Sequence, residues 1–181
     1  MVNRKYKDRL FCLIFGTEEY KANALSLYNA VNNTSYTNVD DLTIYTLSDV
    51  VYMKMKNDVS YLFEEMISLY EQQSTINPNM PIRGLMYFGE MYSKYITNGQ
   101  YDLYGKKLIK LPNPQYVVFY NGTEEYSTRK LRLSDAFIKP DPSGDFEWTA
   151  RVVNINRYGD TVRSRCSALN EYMLLVERIR I

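Results

Sequence analysis

Two short apolar runs separated by a pair of acids constrain this chain most: Val59-Ser60-Tyr61-Leu62-Phe63, then Glu64-Glu65, then Met66-Ile67-Ser68-Leu69-Tyr70-Glu71-Gln72-Gln73. Each run has strand length and strand composition. If the two acids form a two-residue turn, Phe63 pairs with Met66, and counting outward sets Asp58 directly opposite Glu71. Opposed Cβ atoms in such a ladder lie about 4.5–5.5 Å apart. Side chains alternate along a strand, so Glu71 and Gln73 share a face. One hairpin then gathers Asp58, Glu71 and Gln73 at one end. The construction depends on register: a three-residue turn would send Asp58 and Glu71 to opposite faces, and Glu-Glu is not a favoured turn pair.

The rest of the chain sets that hairpin among helices. Asp8 to Val31 reads as a helical region broken near Gly16, with Thr17-Glu18-Glu19 as a second helix start and Ala24, Leu25, Leu27, Tyr28 and Val31 as its apolar stripe. Leu42 to Leu47 alternates and is β-branched, and Val50 to Met55 is a further mixed run. Pro81 opens a helix to about Ile96, with Ile82, Leu85, Met86, Gly89, Tyr92 and Ile96 on its apolar face. Arg83, Tyr87, Glu90 and Lys94 line the other face. Gln115 to Tyr120, Leu131 to Leu133 and Trp148 to Ile155 are strands, and Ser164 to Ile181 is a helix by period. Helix, strands, helix, strands, helix is the order of a mixed α/β or α+β sheet with helices packed on it. With 181 residues, one domain spanning 1–181 is expected.

Composition narrows the chemistry. There is no His, so no Ser-His-Asp or Cys-His pair, no zincin and no imidazole base. Catalysis must run on carboxylates, Lys, Tyr, amides or a metal held by oxygen. Two Cys are too few for a disulfide scaffold, and no apolar stretch reaches the ~18–20 residues of a membrane span. A soluble, unexported protein of the reducing cytoplasm is expected. A formal net charge of +1 argues against bulk coating of nucleic acid and leaves a local patch as the way to bind a polyanion.

Two opposed carboxylates repel unless a cation neutralises them. A hard divalent ion with oxygen ligands, most simply Mg²⁺, does this, lowers the pKa of a bound water and offsets charge on a phosphoryl oxygen. An ordinary reading of the same residues makes Asn57-Asp58 a turn pair and Glu71-Gln72-Gln73 the solvated end of a strand. Spacing alone leaves both open.

The order helix, Asp58, twelve residues, Glu71-Gln72-Gln73, then Arg83 and Tyr87 on the next helix resembles the PD-(D/E)XK nuclease superfamily, and within it the Rpn-type recombination-promoting nuclease / putative transposase group. The stretches that carry the resemblance are Asp8-Arg9-Leu10-Phe11 with Phe15-Gly16, Leu25 to Ala30, Lys56 to Ser60, Tyr70 to Thr75, Asn79 to Arg83 and Val117 to Gly122. They run in order through nearly the whole chain. The resemblance implies a restriction-endonuclease-like core and a Mg²⁺- or Mn²⁺-dependent endonuclease acting on DNA, linked to mobile DNA, recombination or defence. It implies Asp58 and Glu71 as metal ligands together with the backbone carbonyl of Gln72, and Gln73 as the third catalytic position, where the superfamily usually has Lys. A helix-borne acid of the family falls on Glu18 or Glu19.

Arg83 and Tyr87 are read as phosphate contacts, and Lys106 and Lys107 as backbone-tracking charges, with a solvated surface as the plain alternative for each. DNA is the implied partner. A second copy of the chain, or a protein docking on the C-terminal helix (168–181), is left open, and that helix is read as the start of a further region that family members carry. The alternative to the enzyme is a catalytically degenerate nuclease-fold module that binds nucleic acid or a protein, a reading that Gln73 favours and the two acids oppose.

Overall fold

In the computed structural model, which describes residues 5–45, 58–156 and 161–180, the hairpin forms the middle of the sheet. Strand β2 (Asp58–Phe63) pairs antiparallel with β3 (Met66–Gln73), with Phe63 opposite Met66 and Asp58 opposite Glu71. The two-residue turn holds because Glu64 takes a left-handed φ of 53°, a value that Gly or Asn adopts more readily. Burial on both faces of β3 then locks the register, since a one-residue slip would exchange its two apolar sets.

Around this hairpin the described strands follow the order β1-β2-β3-β4-β6-β5, with β1 Leu42–Ile44, β4 Asn113–Tyr120, β5 Lys130–Arg132 and β6 Thr149–Asn154. β1 runs antiparallel to β2 and β5 to β6, whereas β3, β4 and β6 are mutually parallel neighbours. The β3–β4 crossover carries helix α3 (Met80–Asn98). Parallel strands covered on both faces read as continuous apolar runs, and Tyr116 to Tyr120 is buried throughout. The expected α/β mixed sheet flanked by helices is therefore observed.

One face packs on α1 (Lys5–Phe15), α2 (Lys21–Asn32) and α5 (Ser167–Ile179), through Phe11, Phe15, Leu27, Tyr61, Tyr70, Phe119 and Tyr172. The other face packs on α3 through Ile67, Leu69, Tyr87, Phe88, Met91, Tyr116 and Val118. No described helix is long and apolar enough to cross a membrane.

Two expectations need correction. The C-terminal helix is not continuous from Ser164: α4 (Thr161–Arg165) stops, and Cys166 takes extended angles before α5 begins. The buried face of α3 is also rotated from the one expected. Gly84, Tyr87, Phe88 and Met91 are inside, while Met86 is 57% exposed and Ile82 faces solvent. The cause is Tyr87, whose ring is buried because its hydroxyl accepts a hydrogen bond from Arg83 Nη2 at 3.2 Å. The strand candidate Val50–Met55 lies outside the described residues.

Candidate active site

Glu71 sits near the carboxyl end of β3 and is 1% exposed. Strand alternation puts it, with Ile67, Leu69 and Gln73, on the α3 side of the sheet. The first turn of α3 meets it there, since Pro81 opens the helix and Arg83 follows. Arg83 Nη2 lies 2.5 Å from Glu71 Oε1. Gln73 Nε2 donates to the same oxygen at 2.6 Å, and the Tyr116 hydroxyl, from β4, donates to Oε2 at 2.6 Å. A carboxylate taken out of water needs this many partners. Burial pulls the Arg83 guanidinium down, and Glu71 beside it, with Tyr87, more than restores it, so that it stands above its ordinary value.

Asp58 is the register partner of Glu71 at the start of β2, and its position falls on the same face. Between Glu71 and Gln73, the main chain is aimed by the ladder. Asn121 N–H donates to Gln73 O at 2.9 Å on the β4 side, so the preceding carbonyl, that of Gln72, points toward β2. The end of the hairpin thus offers oxygen donors of the kind a hard divalent cation takes, the Glu71 carboxylate and the Gln72 carbonyl, and position 58 is the register partner of Glu71. Among the described residues no group of three or more His, Cys, Asp and Glu side chains converges on a point. An ion here would draw on that mixed carboxylate and carbonyl set.

On the opposite face lies a polar chain that sequence reading did not assign. Gln72 satisfies both of its neighbours when Nε2 donates to Asp8 Oδ1 at 2.5 Å and Oε1 accepts from Asn121 Nδ2 at 2.9 Å. Asn121 Nδ2 also donates to the Tyr172 hydroxyl at 3.2 Å. Burial pushes the Asp8 carboxyl up, against the opposing pull of Lys7. The acid that α1 brings to the end of β3 is therefore Asp8. Glu18 and Glu19 are exposed, with Glu18 paired at 3.5 Å to Lys21 on the surface. Asp8 had a signal in the sequence: it lies three and seven residues before Phe11 and Phe15, an acid on the buried stripe of its helix.

Of the other expected contacts, Tyr87 joins this cluster through Arg83 and the two lysines lie apart from it. Tyr87 is 2% exposed and belongs to the core beneath Arg83, so it presents no surface to a phosphate. Lys106 and Lys107 are exposed in the segment between α3 and β4. That segment is anchored at the far end of the sheet, where Tyr101 N–H meets Ile96 O and Asn113 N–H meets Glu65 O. No protein-family model, curated protein or solved structure matches this chain.

Proposed function

We propose that this chain is a metal-dependent endonuclease of PD-(D/E)XK type, hydrolysing phosphodiester bonds in DNA, with the Rpn-type group as its kin and a reducing cytoplasm as its setting. The observation that carries the reading is the facing of Asp58 and Glu71 across the β2–β3 hairpin, with Gln73 two residues on. Asp58, Glu71 and the Gln72 carbonyl would hold Mg²⁺ or Mn²⁺. Such an ion, when bound, supplies a low-pKa water and offsets charge on a phosphoryl oxygen.

The chain's own groups do the rest. Gln73 holds Glu71 Oε1 and turns that carboxylate to a fixed orientation. Being neutral, Gln73 brings no charge to the site, and among the described residues Arg83 is the cation paired with that carboxylate. Tyr116 donates to Oε2 from the core side and so occupies that oxygen.

A second reading is favoured by the same contacts. Glu71 is satisfied from within the chain, as in a nuclease fold that has lost catalysis and serves as a binding module, and α5 keeps Leu174 and Leu175 partly exposed for a partner. The test is nicking of supercoiled plasmid with Mg²⁺ or Mn²⁺ by wild type, by Asp58→Ala and by wild type in EDTA. The nuclease reading expects cleavage that both the substitution and the chelator abolish. Cleavage that survives Asp58→Ala defeats the site assignment, and a folded wild type that never cuts leaves the binding module.

A further inference from the structure

We infer that Arg83 is the resident cation of the acidic site and exchanges with the divalent ion for Glu71, so that ion binding and the Arg83–Glu71 pair exclude one another. This rests on the metal reading above and adds to it a competition built into the chain.

The argument is a charge account. Glu71 is buried in the centre of a sheet, where an ionised carboxylate needs a counter-charge. Its partners are unlike one another. Tyr116 donates from a buried strand and Gln73 from two residues along the same strand; both are neutral, and both compete little with a cation for charge. Arg83 is the cationic partner, 2.5 Å from Oε1. A divalent ion on the same carboxylate would stand within a few ångströms of the guanidinium and repel it.

Of these partners among the described residues, Arg83 is also the one that can leave at least cost. Its side chain is 29% exposed on a long stem from the first turn of α3, so the guanidinium can swing into water without becoming a buried, unpaired charge, at the cost of its hydrogen bond to the Tyr87 hydroxyl. Tyr116 and Gln73 can stay where they are. The ion then inherits a carboxylate already oriented, and its apparent affinity is reduced by the fraction of molecules in which Arg83 holds the site.

The test uses the full chain without nucleic acid. Mn²⁺ binding is measured by titration calorimetry for wild type, Arg83→Gln and Asp58→Ala, and thermal midpoints are taken in EDTA and in saturating Mn²⁺. Arg83→Gln should bind Mn²⁺ about 10-fold more tightly than wild type, within the usual span of coupling between two sites. It should melt lower than wild type in EDTA and regain more on adding Mn²⁺. Equal or weaker Mn²⁺ binding by Arg83→Gln, with binding still abolished in Asp58→Ala, overturns the exchange and leaves the metal site standing. No binding by wild type or Arg83→Gln overturns both. Should Arg83→Gln fail to fold, the wild type with Arg83→Lys decides: the Arg83 Nε–Hε resonance, identified by its loss in Arg83→Lys, should move saturably with Mg²⁺. A resonance that stays fixed while Mg²⁺ binds refutes the exchange.

Discussion

Helix α3 contains two interior glycines that should respond in opposite directions to the same substitution. Replacing Gly by Ala within a helix gains about 0.5–1 kcal/mol from backbone entropy and propensity. At Gly89 a new Cβ meets nothing within 4 Å, so Gly89→Ala should realise that gain in full. At Gly84 the new Cβ would stand 2.5 Å from Tyr116 Cδ1 and Cε1 and 2.9 Å from Trp148 Nε1. The Tyr116 ring is not free to yield, being 3% exposed and packed edge-on to Phe88. Overpacking of this kind costs about 1–3 kcal/mol. The ring is also the arm that delivers a hydroxyl to Glu71 Oε2, and a hydrogen bond to a charged group contributes about 1.5–3 kcal/mol. Set against the propensity gain, Gly84→Ala should destabilise the protein by up to about 2.5 kcal/mol if the Glu71 contact holds and by about 1.5–5.5 kcal/mol if it breaks. Urea unfolding of the wild type and both variants reads this directly, with unchanged m-values as the check on a common unfolded state. If Gly84→Ala raises the midpoint as Gly89→Ala does, the packing of α3 on β4 described here is wrong.

Tyr116→Phe removes the hydroxyl without changing the ring and should cost about 1.5–3 kcal/mol in urea unfolding; a loss under ~0.5 kcal/mol would mean that Glu71 does not rely on it. Burial pushes the Tyr92 phenol up to about 12 from 10.0, and its hydroxyl donates to Pro112 O at 2.8 Å. The folded chain therefore keeps a proton that the unfolded chain gives up, and this contribution is complete below pH 10 and lost as the pH rises to about 12. Thermal midpoints of Tyr92→Phe should accordingly fall less steeply than wild type across that window, and parallel curves would contradict the shift.

The hairpin was legible because two apolar runs of strand length stood two residues apart, and a two-residue turn at that spacing gives the observed register. What was not legible is how the turn is made, since Glu64 takes a left-handed angle its residue type does not advertise. On α3 the periodicity was present in two phases. Ile82, Met86 and Gly89 make one stripe, and Gly84, Tyr87, Phe88 and Met91 the other; hydrophobicity alone favoured the first. The second won because Gly84 lets the helix approach Tyr116 and because Arg83 satisfies the Tyr87 hydroxyl, both of which depend on tertiary neighbours. Around Glu71, the facing of positions 58 and 71 and the nearness of Gln73 were readable from local spacing, whereas Arg83, expected as a phosphate contact, is found paired with Glu71. Tyr116 was not readable, because it reaches Glu71 across 45 residues through a parallel pairing that no local pattern specifies.

The locality of the hairpin also sets an order in time. A β-hairpin closes in about 1–10 μs, whereas pairing with β4 must first close the long crossover that contains α3. The two acids of the hairpin therefore come together early in folding, before Tyr116 arrives to donate to Glu71 and before α3 docks to bring Arg83. During that interval Glu71 has neither Tyr116 nor Arg83 to offset its charge, and an isolated hairpin is already only marginally stable in water. Completion of the sheet turns this early liability into the buried, compensated site, so the last strands to pair are the ones that make the first hairpin tenable.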